Sequence, residues 1–207
     1  TDSLGAAGAT RLQAFVARDW GAAEQGFRSA LQGKPDLFEA HYNLGYALVQ
    51  EGKTAEAEVE LREAIRLDPR SAEARNYLGY SLADRGERVE EALELIRSAL
   101  KLDPWNGAYL DSLGWVYVKL GRLDDARDPL ERAAREFPKD ATVLEHIGDY
   151  YDRTGDLVRA KTYWRRALEV APEAQSDRET LQQKLDKAPA AAARPPANEA
   201  AVVPLEP

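Results

Sequence analysis

The residues of this chain that could do chemistry are few and lie far apart. The sequence has no cysteine and two histidines, His41 and His146. The lack of cysteine excludes disulfides, thiolate metal sites and a cysteine nucleophile within these 207 residues. His146 is close to Glu145 and Asp149 in sequence. We expect these three side chains to make exposed polar contacts, because a metal site needs several ligands at matched distances.

Two further patterns resemble functional motifs and have simpler interpretations. Gly52-Lys53-Thr54 resembles the end of a phosphate-binding loop, but Ala47 stands where that motif requires glycine. We interpret it as a turn between helices. The acid pairs Glu90-Glu91 and Asp124-Asp125 fall where helices would begin, and acids there complement the helix dipole. The sequence therefore predicts no catalytic residues, no metal site and no cofactor, and we expect the chain not to be an enzyme.

The elements that carry these residues recur with a period of 34 or 35 positions. Small residues and prolines recur at equivalent positions of each period, and apolar residues form a helical stripe twice within each period. The series are Pro35, Pro69, Pro104, Pro138 and Pro172; Gly45, Gly79, Gly114 and Gly148; and Ala23, Ala57, Ala92, Ala126 and Ala160. The single spacing of 35 predicts one inserted residue within Arg85–Glu91.

The second period illustrates why the small residues are needed. Leu44 and Gly45 lie on the stripe of a first helix, and Ala57 and Leu61 lie on the stripe of a second helix. Gly45 and Ala57 would allow two antiparallel backbones to approach closely, with the two leucines filling the space beside them. The sequence thus predicts tightly packed helix pairs.

These residues resemble the tetratricopeptide repeat (TPR), a helix–turn–helix unit of 34 residues. The sequence L-G-Y-A-L from Leu44 recurs as L-G-Y-S-L from Leu78, L-G-W-V-Y from Leu113 and I-G-D-Y-Y from Ile147. The resemblance implies an all-α fold, a right-handed superhelix (α-solenoid) of about five repeats. The first repeat departs from the pattern, because Arg11 stands in its glycine position.

The resemblance also sets the expected domain organisation. We expect a TPR array over residues 1–187, with repeats at approximately 4–36, 37–70, 71–105, 106–139 and 140–173. After Pro172 the period fails. A short capping helix is predicted over 176–187, with Ser176 and Glu179 as a capping box. The Ala/Pro-rich segment 188–207 is predicted to be a disordered tail, and one hypothesis is that its prolines fold back into the array's own groove.

A candidate binding surface follows from the first helix of each unit, since these helices build the concave wall of such arrays. One outward position holds an aromatic residue in three successive units and an acid in the fourth. We expect a peptide-binding groove lined by Tyr42, Tyr46, Asn76, Tyr80, Asp111, Trp115, Glu145 and Asp149. Aromatic faces suit proline rings and extended chains, and carboxylates suit lysine or arginine. The alternative is that the aromatic residues pack within and between repeats.

The predicted function is a non-enzymatic interaction module that binds an extended or helical segment of another protein, proline-bearing or basic in character. The alternative is a structural scaffold or assembly segment of a larger bacterial complex. Similarity of residues 110–169 to bacterial repeat proteins implies a cell-envelope adaptor as one form of it.

Charge and hydropathy narrow the set of partners and compartments. The net charge is −8, from 36 acids and 28 bases, which disfavours nucleic acid and anionic membranes as partners. No apolar run is long enough to insert into a bilayer, so we expect a soluble chain, cytoplasmic or periplasmic, that is monomeric or weakly oligomeric. Because the sequence begins at Thr1 and contains no methionine, we expect a processed protein or a segment of a longer array.

Overall fold

The structure, a computed structural model, describes residues 17–170 and 175–187, and it describes side chains in the second range from residue 178 onward. Within these residues the chain forms ten helices and no strand. The helices are α1 (Trp20–Gly33), α2 (Phe38–Gln50), α3 (Thr54–Leu67), α4 (Ala72–Asp84), α5 (Val89–Leu102), α6 (Gly107–Lys119), α7 (Leu123–Glu136), α8 (Ala141–Arg153), α9 (Leu157–Val170) and α10 (Gln175–Lys187). The predicted all-α fold is confirmed.

The helices belong to two compact units, Thr1–Pro138 with α1–α7 and Lys139–Pro207 with α8–α10. Within the first unit α2 packs on α3, α4 on α5 and α6 on α7, and within the second α8 packs on α9. Three predictions lie outside the described residues: the first helix of the first repeat with Arg11, the side chain of Ser176, and the tail 188–207.

The helix boundaries keep the period that the sequence predicts, and they extend it by one element. The first helices of the repeats, α2, α4, α6 and α8, begin at Phe38, Ala72, Gly107 and Ala141. Helix α10 begins at Gln175, which is 34 residues after the start of α8. The consensus residues stop at Pro172, whereas the helix starts keep the period for one more element.

Each helix pair is held together where a glycine of the first helix meets a large side chain of the second. A Cβ atom built on Gly45 would lie 2.7 Å from Cγ of Leu61, and one on Gly114 would lie 2.4 Å from Cγ of Leu130. Contacts this short are not available to any residue with a side chain, so the glycines allow the close approach. Leu61 and Leu130 are fully buried as a result, as the sequence predicted for Leu61.

The inserted residue lies in the turn between α4 and α5, as the spacing predicted. Three other turns of this kind have one residue between a glycine and the next helix, whereas Gly86 is followed by both Glu87 and Arg88 before α5 begins. Arg88 takes up the extra length with a left-handed backbone at φ 44°, which is costly for a residue with a side chain. Its guanidinium is ion-paired with Glu58 of α3, which helps to hold this turn against the preceding repeat.

Side-chain caps define where three of the first helices begin. Ser71 accepts a hydrogen bond from the backbone N–H of Ala74, and Asn106 and Asp140 accept equivalent bonds at the starts of α6 and α8. Such caps satisfy backbone donors that the helix itself leaves free. They fix the start of each helix and therefore which side chains face its neighbours.

Acidic side chains on the second helices are used to join successive repeats. Arg28 of α1 pairs with Glu56 of α3 at 2.5 Å, and Arg62 of α3 pairs with Glu91 of α5 at 2.6 Å. These pairs are exposed, and each contributes little to stability in water. Among the described helices none is long and apolar enough to cross a membrane.

The glycine contacts generate a stability prediction. Gly114→Ala should lower the free energy of unfolding by about 1–3 kcal/mol, because the new methyl group would also lie 3.2 Å from the backbone nitrogen of Leu130. Gly33→Ala in α1 is the matched control, since nothing lies within 4 Å of its added Cβ. It should be neutral or slightly stabilising. Urea unfolding followed by circular dichroism measures both, and equal stability of the two variants would refute the packing argument.

Candidate functional site

The first helices of the first unit lie side by side, so that their outward residues form one surface. Helix α2 contacts α4, and α4 contacts α6. Tyr46 of α2 stacks on Tyr77 of α4, with ring centroids 4.8 Å apart and planes 18° apart. One predicted surface residue, Tyr46, thus meets a ring of the neighbouring repeat that was not among the predicted residues.

A group of five rings, here called the aromatic cluster, covers this part of the surface. Its members are Trp20, Phe38, Tyr42, Tyr46 and Tyr77. Beyond the Tyr46–Tyr77 stack, centroid distances are 5.8 Å for Trp20–Tyr46, 6.3 Å for Tyr42–Tyr77 and 6.1 Å for Phe38–Tyr42. All five rings are partly buried, so each keeps some surface in contact with solvent.

Sequence reasoning placed Tyr42 and Tyr46 on this surface and missed the other three members. Tyr77 lies one helical turn before Tyr80, which the repeat pattern did select, so its side chain projects from nearly the same face. Trp20 comes from α1, a second helix, and could not be found by aligning first helices. Helical spacing was thus a sufficient signal for Tyr77, whereas Trp20 required the tertiary structure.

Burial raises the pKa of two phenols of the aromatic cluster, those of Tyr42 and Tyr77. Desolvation, with a contribution from Glu73, raises the pKa of Tyr42 to about 12. Desolvation also raises the pKa of Tyr77, whose hydroxyl accepts a hydrogen bond from the Gln50 amide at 3.4 Å. At neutral pH both hydroxyls therefore remain available as hydrogen-bond donors.

The remaining predicted residues of the first unit differ in how accessible they are. Tyr80 and Asn76 of α4 are partly buried, and the amide oxygen of Asn76 is buried without a hydrogen-bond partner among the described residues. Asp111 and Trp115 of α6 are 5% and 7% exposed. A bound segment would find the rings of α2 and α4 more accessible than Trp115.

Trp115 is buried because it joins α6 to α4. Its indole N–H donates to Oδ1 of Asp84 at 3.2 Å, and Nζ of Lys119 lies 4.6 Å from the ring centroid. Nζ of Lys119 also donates to the backbone oxygen of Asp84 at 2.8 Å. The packing alternative stated for the aromatic residues therefore describes this side chain.

Glu145 and Asp149, the last two predicted residues, lie on α8 in the second unit. Nζ of Lys184 from α10 donates to Oε1 of Glu145 at 2.6 Å and to both oxygens of Asp149 at 2.7 Å. Burial alone would lower the pKa of Lys184, but the two carboxylates outweigh it, so that this pKa is raised. Trp164 of α9 also contacts Asp149: its indole N–H donates to Oδ1 of Asp149 at 2.8 Å.

The two histidines occupy structural positions. Nδ1 of His41 lies 2.6 Å from Oε2 of Glu60, and Nε2 lies 2.8 Å from the backbone oxygen of Pro35, so His41 links α2 to α3 and to the preceding turn. His146 is 5% exposed, so the expectation of exposed polar contacts for it is wrong. In the part of the chain that the structure describes, no three or more potential ligands cluster as a metal site would require.

The other candidate motifs have the positions that the simpler interpretation predicted. Gly52-Lys53-Thr54 is the turn between α2 and α3, and Nζ of Lys53 pairs with Glu24 at 2.6 Å. Glu90-Glu91 and Asp124-Asp125 lie in the first turns of α5 and α7. A phosphate-binding loop would require a strand before the glycine, and here a helix precedes it.

Comparison with known proteins agrees with the fold. A TPR repeat-containing protein of Pseudomonas aeruginosa, PA4667, is 43% identical over 58 residues, which are 28% of this chain and 10% of that protein. This chain thus spans about a tenth of that relative's length. A thermophilic TPR protein of Thermus thermophilus, TTC0263, matches with a TM-score of 0.71 and 24% identity over 84% of this chain and 95% of the other.

A second solved structure is similar to the same degree. PilW, a widely conserved type IV pilus biogenesis factor, matches with a TM-score of 0.71 and 22% identity over 86% of this chain and 82% of the other. At these identities both structures show the fold alone.

Family models described as tetratricopeptide repeat match residues 12–61 and 49–106, 82–145, and 141–173. The chain therefore belongs to the tetratricopeptide repeat family.

Proposed function

We propose that this chain is a protein-interaction module and that its first unit holds an extended or helical segment of a partner against α2 and α4. The observation that carries the proposal is the aromatic cluster, whose stacked rings cross from one repeat to the next and stay partly exposed. TPR folds are generally non-enzymatic interaction scaffolds. We assign the chain the same kind of role.

The chemistry of the cluster favours a particular kind of segment. Ring faces bind proline rings and apolar side chains well, and they attract cations. The protonated hydroxyls of Tyr42 and Tyr77 supply donors for the carbonyl groups of an extended backbone. Tyr80 and Asn76 continue the surface on α4, and Trp115 and Asp111 support it from α6. A proline-bearing segment with basic residues fits these features.

Trp20 and Trp105 allow this proposal to be tested without knowing the natural partner. We would select 12-residue peptides from a random library against the full chain and titrate the tightest into ¹⁵N-labelled protein. Trp20 lies 5.8 Å from Tyr46, so its indole signal should shift, whereas the signal of the exposed Trp105 should not. Saturable binding that leaves Trp20 unchanged would contradict the proposal.

Substitutions give a second, independent measurement. Tyr46→Ala and Tyr80→Ala should each weaken the selected peptide by about tenfold or more, as is typical of aromatic hot spots. Trp105→Ala is the matched control, because it removes an aromatic side chain that is 75% exposed and outside the aromatic cluster. Unfolding midpoints check that each variant is folded. Equal affinities for all three variants would refute the assignment of the surface.

A scaffold role is the second candidate, favoured by a different apolar surface. Trp105, in the turn between α5 and α6, is 75% exposed, and Leu102 at the end of α5 is 45% exposed. The guanidinium of Arg132 lies 5.1 Å from the Trp105 ring. Exposed tryptophan and arginine are the residue types that dominate protein interfaces. The likeness to PilW makes assembly in a cell-envelope complex a specific form of this proposal.

Light scattering over a concentration series tests the scaffold role. If Trp105 mediates assembly of this chain with itself, the wild-type protein should associate reversibly as its concentration rises, and Trp105→Ser should shift the association to concentrations at least tenfold higher. Val158→Ser is the control, because Val158 is also exposed, at 62%, and belongs to the second unit. A wild-type protein that stays monomeric throughout would argue against self-assembly.

A further inference from the structure

Helix α10 occupies the position of the first helix of a sixth repeat. Its boundaries, Gln175–Lys187, are those of α8 advanced by 34 residues, and Leu181 falls in the position of Ile147. Leu181 is 1% exposed, and α10 packs on α9. The position of Gly148 is taken by Gln182, which is exposed.

Leu181 and Lys184 are two described anchors of α10. Among its described side chains only Leu181 is buried, while Lys184 and Leu185 are partly buried. Arg178 donates to the backbone oxygen of Leu168 at 2.9 Å. A 13-residue helix is marginal on its own in water. We therefore expect the docking of α10 to depend on Leu181 and Lys184, and a terminal helix of this kind to open more readily than the helices inside the array.

The carboxylates that receive Lys184 form a preorganised position for a cation, here called the acid seat. It consists of Glu145 and Asp149 of α8. The indole N–H of Trp164 donates a hydrogen bond to Asp149. Trp164 is 3% exposed, so its indole is held by the packing around it. Like charges four residues apart on a helix repel each other. An ammonium between them relieves the repulsion, so the seat favours a basic occupant.

We propose that a partner protein can displace α10. Lys184 of α10 occupies the acid seat in the free chain, and a lysine of the partner would occupy it in the complex. The partner would be a helical segment with an apolar residue followed three positions later by lysine, as in Leu181 and Lys184, and it would bind the second unit by displacing α10. The inference rests on the proposed function, because it takes the partner to be a protein segment, and it adds a separate contact on the second unit that requires α10 to leave.

The first test measures how readily α10 opens, by amide hydrogen exchange on the full chain. Lys184→Ala should speed amide exchange across α10 by about tenfold and leave α8 and α9 protected. Lys184→Arg should restore most of the protection. Lys187→Ala is the matched control, since Lys187 is exposed on the same helix, and it should leave the exchange unchanged. Exchange in α10 that is the same in wild type and Lys184→Ala would overturn the proposal.

The second test supplies the displaced helix as a separate peptide. The probe is QSDRETLQQKLDK, residues 175–187, titrated into the ¹⁵N-labelled full chain with the Trp164 indole signal as reporter. In Lys184→Ala the signal should titrate at peptide concentrations at least tenfold below those needed in wild type, because the chain's own α10 no longer competes. A peptide with alanine in place of its lysine should not bind.

No shift of Trp164 in Lys184→Ala, or equal titration by the alanine peptide, would overturn the proposal. Failure of the first-unit binding surface is recognised separately, because Trp20 reports on that surface and Trp164 reports on the acid seat.

Discussion

The structure depends on one recurring contact, in which a glycine of a first helix lies against a large side chain of the second. Gly45 meets Leu61, Gly79 meets Ile96, Gly114 meets Leu130 and Gly148 meets Trp164, all at distances that leave no room for a Cβ atom. This contact sets the separation of the two helices in each pair. Because it recurs every 34 or 35 residues, each pair is packed by the same rule, and neighbouring pairs need only fit one another.

The same constraint leaves the outward face of each first helix free to vary. In α2 and α4 this face is used for the aromatic cluster, which is shared between repeats and remains partly exposed. In α6 the equivalent position holds Trp115. Its indole donates a hydrogen bond to Asp84 of the preceding repeat, and the ammonium of Lys119 lies over its ring. Equivalent positions therefore have different roles, and the neighbouring repeat decides which role a ring takes.

Charged side chains likewise act between neighbouring helices. On the second helices, acids pair with arginines of the adjacent repeat, as in Arg62 with Glu91. On α8, the acid seat receives a lysine from α10 while a tryptophan holds one of its carboxylates. Acidic side chains thus serve both in exposed pairs that join repeats and in a partly buried contact with Lys184.

The sequence by itself determined the helix pairs, their period, the inserted residue before α5 and the small residues at each close contact. These are properties of neighbouring positions along one chain, and helical periodicity together with glycine, alanine and proline reports them directly. It also placed Tyr42 and Tyr46 on the outward face. Only the tertiary structure decided that Trp20 joins them and that Trp115 is largely buried. It also decided that Lys184 fills the acid seat. Those outcomes depend on which side chains of other helices come within a few ångströms, and a periodic pattern carries no information about such distances.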